Sequence, residues 1–184
     1  ELEYPVVNLG GNATDVSLTK QLLVHLLDNF DFQADKYDSD NNPIQLIDQV
    51  SGDMILFEVS YNIIEFAFAK ASRIAEVKER LDTYLSIIQP YLQNHNHELQ
   101  GWGVNPNWAK NDNRPVKSPR YKMLMNFLEL SKAKNDPFFH YYPEYGSFIC
   151  GSQVQLDVSK TSYSRVLNAF NQIEGPKAVL LVNY

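Results

Sequence analysis

Polar and apolar positions divide the chain into short alternating runs and longer stretches with helical spacing. "LEYPVVN" near the start reads as a first strand, followed by the loop "LGGNATD". Leu18, Leu22, Leu23, Leu26, Leu27 and Phe30 then recur at intervals of three and four, which predicts a helix with Thr14 or Asp15 as its N-cap. Four short strands are expected around 31–36, 44–50, 53–59 and 63–68, the first two joined by the polar turn "DSDNNP". Ile74, Val77, Leu81, Tyr84, Leu85, Ile88, Tyr91 and Leu92 predict a second helix, with Ser72 as a cap candidate and Pro90 near its end. "HELQGWGVNPNW" reads as a strand running into a Gly/Asn/Pro loop. Ser118-Pro119 opens a third helix carrying Met123, Leu124, Phe127 and Leu128. Beyond it come an aromatic loop ("NDPFFHYYPEYG"), a strand ("SFICGSQVQLDVS") and a helix ("SYSRVLNAFNQIEG") closed by Gly175-Pro176. "KAVLLVNY" fits either helix or strand.

Several strands follow one another through short turns instead of alternating with helices. That order favours an α+β fold, an antiparallel sheet with helices packed on one face, over a doubly wound parallel sheet.

Composition narrows the picture. A length of 184 residues makes one domain, 1–184, the default, and 44% apolar and 12% aromatic residues supply ample core. The net charge of −6, with no basic block, argues against nucleic acid or an anionic membrane as the main partner. No apolar run approaches the ~20 residues needed to span a bilayer. The single cysteine, Cys150, has no internal disulfide partner, and a reducing, cytoplasmic location is expected. The first residue is Glu1 and the opening residues already read as strand, so the true start is expected upstream.

The chemistry concentrates in "FEVSYNIIEF", where Glu58 and Glu65 sit in the most apolar stretch of the chain. A two-residue turn at Tyr61-Asn62 would place Glu58 opposite Glu65 on one face, Cβ atoms ~5 Å apart. Two like charges so placed repel, unless water screens them on an outer face or a cation bridges them. A one-residue slip of register would separate the two. Glu1 and Glu3 likewise share a face of the first strand. Ser147, Ile149, Gly151, Gln153, Gln155 and Asp157 share a face of the strand near the C-terminus, while Cys150 falls on the other, apolar side and reads as core. One sheet with a polar concave face is the economical arrangement. Oxygen ligands without Cys or His at metal spacing suit Mg²⁺ or Mn²⁺, and carboxylate-held Mg²⁺ commonly serves the phosphates of ATP. Other candidates read as structural. His95 and His97 are expected as exposed turn residues, Trp102 and Trp108 as loop anchors. The Asp38-x-Asp40-x-Asn42 turn lacks the Gly and Glu of a calcium loop.

Four segments in order resemble the glutamate–cysteine ligase (γ-glutamylcysteine synthetase) family: "ELE", "GDMILFEVSYNIIEFAF", "GWGVNPNW" with "SPRYKMLMNFL", and "GSQVQLDVS". The resemblance implies a glutamine-synthetase-like catalytic fold, present here in part, whose curved antiparallel sheet holds metals, ATP and substrate on its inner face. It implies Glu1, Glu3, Glu58, Glu65 and Gln153 around Mg²⁺, Gln155 near substrate or nucleotide, and Arg120 as a catalytic substrate or phosphate contact. The implied reaction joins the glutamate γ-carboxylate to the cysteine amino group. ATP activates the carboxylate as an acyl phosphate, and divalent ions neutralise the phosphoryl oxygens. Family members are much longer, so the chain reads as an N-terminal portion whose partner is the missing C-terminal half. Another ATP-dependent carboxylate–amine ligase, or a non-catalytic fragment binding nucleotide or a partner protein, remains an alternative at this point.

Overall fold

The structure, a computed structural model, describes residues 1–133 and 145–181. Most of the aromatic loop, with His140, and the last residues of "KAVLLVNY" lie outside the described residues. The chain forms two compact units, Glu1–Gln153 and Val154–Tyr184.

The first unit is α+β. Its strands are β1 (Leu2–Asn8), β2 (Phe32–Tyr37), β3 (Pro43–Asp48), β4 (Met54–Phe57), β5 (Ile63–Ala67) and β6 (His97–Leu99). They form one antiparallel sheet in the order β2-β3-β4-β5-β1-β6. Strands β2 to β5 are a meander of sequential neighbours. The chain's first strand is inserted beside the last of them.

Two helices cover one face. α1 (Val16–Asn29) starts where Asp15 accepts hydrogen bonds from the Ser17 and Leu18 N–H groups, the cap foreseen in sequence. It buries Leu18, Leu22, Leu23 and Leu26. α2 (Ile74–Gln93) buries Tyr84, Ile88 and Leu92. Its N-cap is Arg73 without a side-chain cap bond, not Ser72; the Ser72 N–H is instead taken by Glu76. Strand alternation sends Val6, Leu46, Ile55, Phe57, Ile64 and Phe66 toward these helices, and Phe66 stacks on Tyr84 at 6.0 Å. The Gln89 side chain hydrogen-bonds both the N–H and the C=O of Leu99, occupying backbone groups that the outermost strand would otherwise leave open.

Several expectations change. His97 is buried, not an exposed turn residue. Its Nε2 accepts from the Asp15 N–H at 3.1 Å and its Nδ1 meets the His95 carbonyl at 2.7 Å. Accepting at Nε2 requires the proton on Nδ1. The strand expected over 147–158 is not a strand. Its ladder pairing is limited to the isolated bridges Val104↔Ile149 and Leu2↔Ser152, and scattered hydrogen bonds, such as the Glu3 N–H to the Gly151 carbonyl and the Cys150 N–H to the Gly103 carbonyl, hold it in place. β1 offers it only the few residues that β6 leaves open, because β6 takes Val6, Val7 and Asn8. The "DSDNNP" segment is a polar turn as expected. Asp38 accepts from the Asp40 and Asn42 N–H groups and from the Tyr61 hydroxyl at 2.6 Å. Burial works against that charge, but these donors prevail and bring the carboxyl down to about 2.

α3 (Pro119–Ala133) begins at the Ser118-Pro119 signal. The second unit carries α4 (Tyr163–Leu181), which runs through Gly175-Pro176 instead of stopping there. A proline forfeits one intrahelical N–H bond, and the preceding glycine has no side chain to clash with the ring. Among the described residues no helix is long and apolar enough to cross a membrane.

Asp53, just before β4, fastens α2 to the sheet. Wholly buried, it accepts from the Ala69 N–H (2.6 Å), Arg80 Nη1 (2.6 Å) and the Tyr84 hydroxyl (2.9 Å). Asp53→Ala strands a guanidinium and an amide together. It is expected to lower unfolding free energy by about 3 kcal/mol or more, read by urea denaturation.

Candidate functional site

The face of the sheet turned away from α1 and α2 gathers the glutamates. β5 is buried along its whole length, so Glu65 is only 6% exposed although it faces away from the helices. A solvated outer face is therefore ruled out for Glu65. Its direct cross-strand partner is Glu3 on β1. On the other side Leu56 of β4 opposes Glu65, so Glu58 does not, contrary to the two-residue hairpin. β4 and β5 are joined by residues 58–62, and the register is offset by two positions from that expectation. An even offset preserves the face, because side chains alternate with period two. Glu58 thus stays on the side of Glu65 and lies diagonally from it. The two carboxyl groups are in hydrogen-bond contact.

A strained turn causes the offset. Val59 has φ of +55°, a left-handed conformation that a β-branched residue rarely adopts. Around it the Ser60 N–H donates to the Glu58 carbonyl at 2.6 Å, closing a γ-turn, and the Val116 N–H holds the Val59 carbonyl at 2.7 Å.

Each carboxylate has its own support. Glu3 Oε2 accepts the Gly151 N–H at 2.7 Å and Glu3 Oε1 meets Gln153 Nε2 at 3.3 Å. Glu58 Oε2 accepts the Tyr121 hydroxyl at 2.9 Å. Glu1, at the strand's start, adds its charge to the field at Glu3 and Glu65, and its ammonium donates to the Gln153 carbonyl at 2.8 Å. Of the expected ligands, then, Glu3 on β1, Glu65 on β5 and Glu58 just past the end of β4 come together, with Glu1 and Gln153 at the margin.

The electrostatic consequence is severe for one group. Burial, then the hydrogen bond and charge of Glu58, then the charges of Glu1 and Glu3, push Glu65 up to about 8. Burial also raises Glu3, reinforced by Glu58 and Glu1 and opposed by Gly151 and Gln153. At neutral pH the crowding is relieved by a proton on Glu65.

Among the described residues no three His, Cys, Asp or Glu side chains stand as a ready-made metal cage. The donor set is nevertheless chemically suited to a hard divalent cation: carboxylates and one amide, all oxygen donors, in a field that already requires positive charge.

The other expected site residues fall elsewhere. Arg120 is exposed on the first turn of α3, its guanidinium 5.6 Å from the Tyr121 ring centroid. Gln155 is exposed and belongs to the second unit. Cys150 is absent from the core cluster. It is partly buried near the Glu3 charge, and burial followed by that charge pushes its thiol up to about 12, which makes it a poor nucleophile. Trp108 stacks on Phe148 at 4.9 Å as an anchor, whereas Trp102 is exposed. Sequence reasoning passed over Tyr121, which touches the site, in favour of its neighbour Arg120. Its helical spacing of three and four with Leu124, Met125 and Leu128 was the available signal that it faces inward.

Comparison with protein-family models, with curated proteins and with solved structures finds no match to this chain.

The raised Glu65 carboxyl gives a signed prediction. Its proton is held more tightly folded than unfolded, so the stabilisation is complete below the unfolded value near 4.5 and is lost as pH rises through about 8. In chelator-containing buffer, the parent should lose stability between pH 5 and pH 9 that the Glu65→Gln variant does not lose, as read by thermal melts. Parallel pH profiles for the two proteins would contradict the arrangement.

Proposed function

We propose that this chain carries the cation- and phosphate-binding sheet of an ATP-dependent carboxylate–amine ligase of the glutamate–cysteine ligase kind, built on a partial glutamine-synthetase-like catalytic fold with a curved sheet. One observation carries the proposal: Glu3 on β1, Glu65 on β5 and Glu58 just past the end of β4 converge on one face of the sheet, Glu65 buried there and its carboxyl pushed well up by burial and by the other acids. A fold that needed only stability gains nothing from three acids there, since apolar residues would serve the same positions at lower cost.

Glu3, Glu58 and Glu65, with Glu1 and Gln153 at the margin, would hold Mg²⁺ or Mn²⁺. Bound there, such an ion would neutralise the phosphoryl oxygens of ATP while a substrate carboxylate is activated. The chain's own residues contribute binding and placement. Glu65 gives up its proton as the cation enters. The Gly151 N–H keeps one Glu3 oxygen oriented. The apolar core behind β5 keeps the face rigid. The Cys150 thiol, kept protonated by burial and the Glu3 charge, has no nucleophilic part, in keeping with a reaction in which the substrate amine is the nucleophile. Glutamate, cysteine and ATP are the proposed substrates, with Gln155 and Arg120 as proposed substrate or nucleotide contacts and a cytoplasmic location.

The test is direct. Isothermal titration of the parent with Mg²⁺, and with Mg²⁺ plus ATP, should give saturable binding that Glu58→Gln and Glu65→Gln each abolish while circular dichroism stays unchanged. Binding as tight in either variant as in the parent would eliminate the shared-cation site. Amino-acid-stimulated ADP release, measured for glutamate and cysteine against other amino acids, then selects among ligases.

A further inference from the structure

The strain at Val59 needs a purpose. A buried β-branched residue in the left-handed region is strained and persists only where its surroundings impose it. Here one segment supplies much of them. Val116 hydrogen-bonds the Val59 carbonyl, Pro115 bridges Ser60, and a few residues later α3 begins and presents Tyr121. Tyr121 is 5% exposed and spans from the core to the acidic face. Its hydroxyl lies 2.9 Å from Glu58 Oε2 and 3.5 Å from the Phe57 carbonyl. The turn fixes where the Glu58 backbone stops following β4, and the hydroxyl fixes which way its carboxylate points. Held through Oε2 by Tyr121, the carboxylate keeps one orientation while retaining lone pairs to meet Glu65 or an ion.

We propose that Tyr121, working with the γ-turn at Val59, is a positioning residue that orients the Glu58 carboxylate for cation binding without itself being a ligand. The inference rests on the cation site proposed above. It also accounts for the Arg-Tyr pair at the start of α3: Tyr121 serves the sheet, and Arg120, exposed beside it, is free to meet a ligand from solvent.

The experiment uses the 184-residue chain, Mn²⁺ as the probe, and Tyr121→Phe, which keeps the ring and removes only the hydroxyl. Free Mn²⁺ is followed by electron paramagnetic resonance, and folding is checked by thermal melts. Tyr121→Phe should melt cooperatively and bind Mn²⁺ about tenfold or more weakly. Mg²⁺ titration of the parent should also give a tyrosine absorption-difference band, as the acceptor of the Tyr121 hydroxyl gives charge to the ion. That band should vanish in Tyr121→Phe, a change that packing alone would not produce. If the parent binds Mn²⁺ and Tyr121→Phe binds it equally, or if the parent binds Mg²⁺ with no tyrosine band, the positioning role is overturned and the cation site stands. If the parent binds no Mn²⁺, the cation site falls and this inference falls with it.

Discussion

Repulsion among carboxylates on a half-buried sheet face is the constraint around which the first unit is organised. Glu3 and Glu65 are direct cross-strand partners, and Glu58 reaches them from just beyond the end of β4. Nothing in a sheet's hydrogen bonding favours that placement, and opposed like charges destabilise a pair of strands. The fold tolerates it because each acid has a specific donor: Gly151 for Glu3, Tyr121 for Glu58, and a proton for Glu65. Segments far apart in sequence are thereby recruited to a few ångströms of surface.

The two faces of the sheet are held by different means. Toward the helices the contacts are apolar and aromatic, with Phe66 stacked on Tyr84 and the leucines of α1 beneath the meander. At the edge of that layer the Tyr84 hydroxyl also lies within hydrogen-bond distance of the Asp48 and Asp53 carboxylates and shares its one proton between them, so one side chain closes the core and joins a polar network. On the opposite face the contacts are hydrogen bonds to carboxylates, which loosen or tighten with protonation. The helical side is a fixed foundation, and the acidic side is the part able to respond to its solution conditions.

Local pattern made most of this fold legible. β1 and the meander β2 to β5 follow from alternation and turn residues, and α1, α2 and α3 follow from apolar spacing and from Asp15 and Ser118-Pro119. The acidic face was also legible, since parity along a strand survives an even error in register. What sequence did not reveal was non-local. Nothing local shows that Val59 turns left-handed, because the cause is the Val116 N–H more than fifty residues away. Nor does alternation in 147–158 disclose that β6 already occupies the edge a strand would need. His97 looked like a turn residue because its two partners, the Asp15 amide and the His95 carbonyl, are backbone groups that leave no mark in residue identity.

The insertion of β1 between β5 and β6 has a consequence for the order of assembly. The meander β2–β5 closes through short local turns, whereas β1 must return from the far end of the chain segment that includes α1. Loop-closure entropy makes such distant pairing slower than hairpin formation. Glu65 therefore waits, neighboured by its own hairpin alone, until the amino-terminal strand docks and brings Glu3 opposite it. The acidic surface comes into being only when that distant pairing closes, and any ion that favours the completed face pulls that step forward.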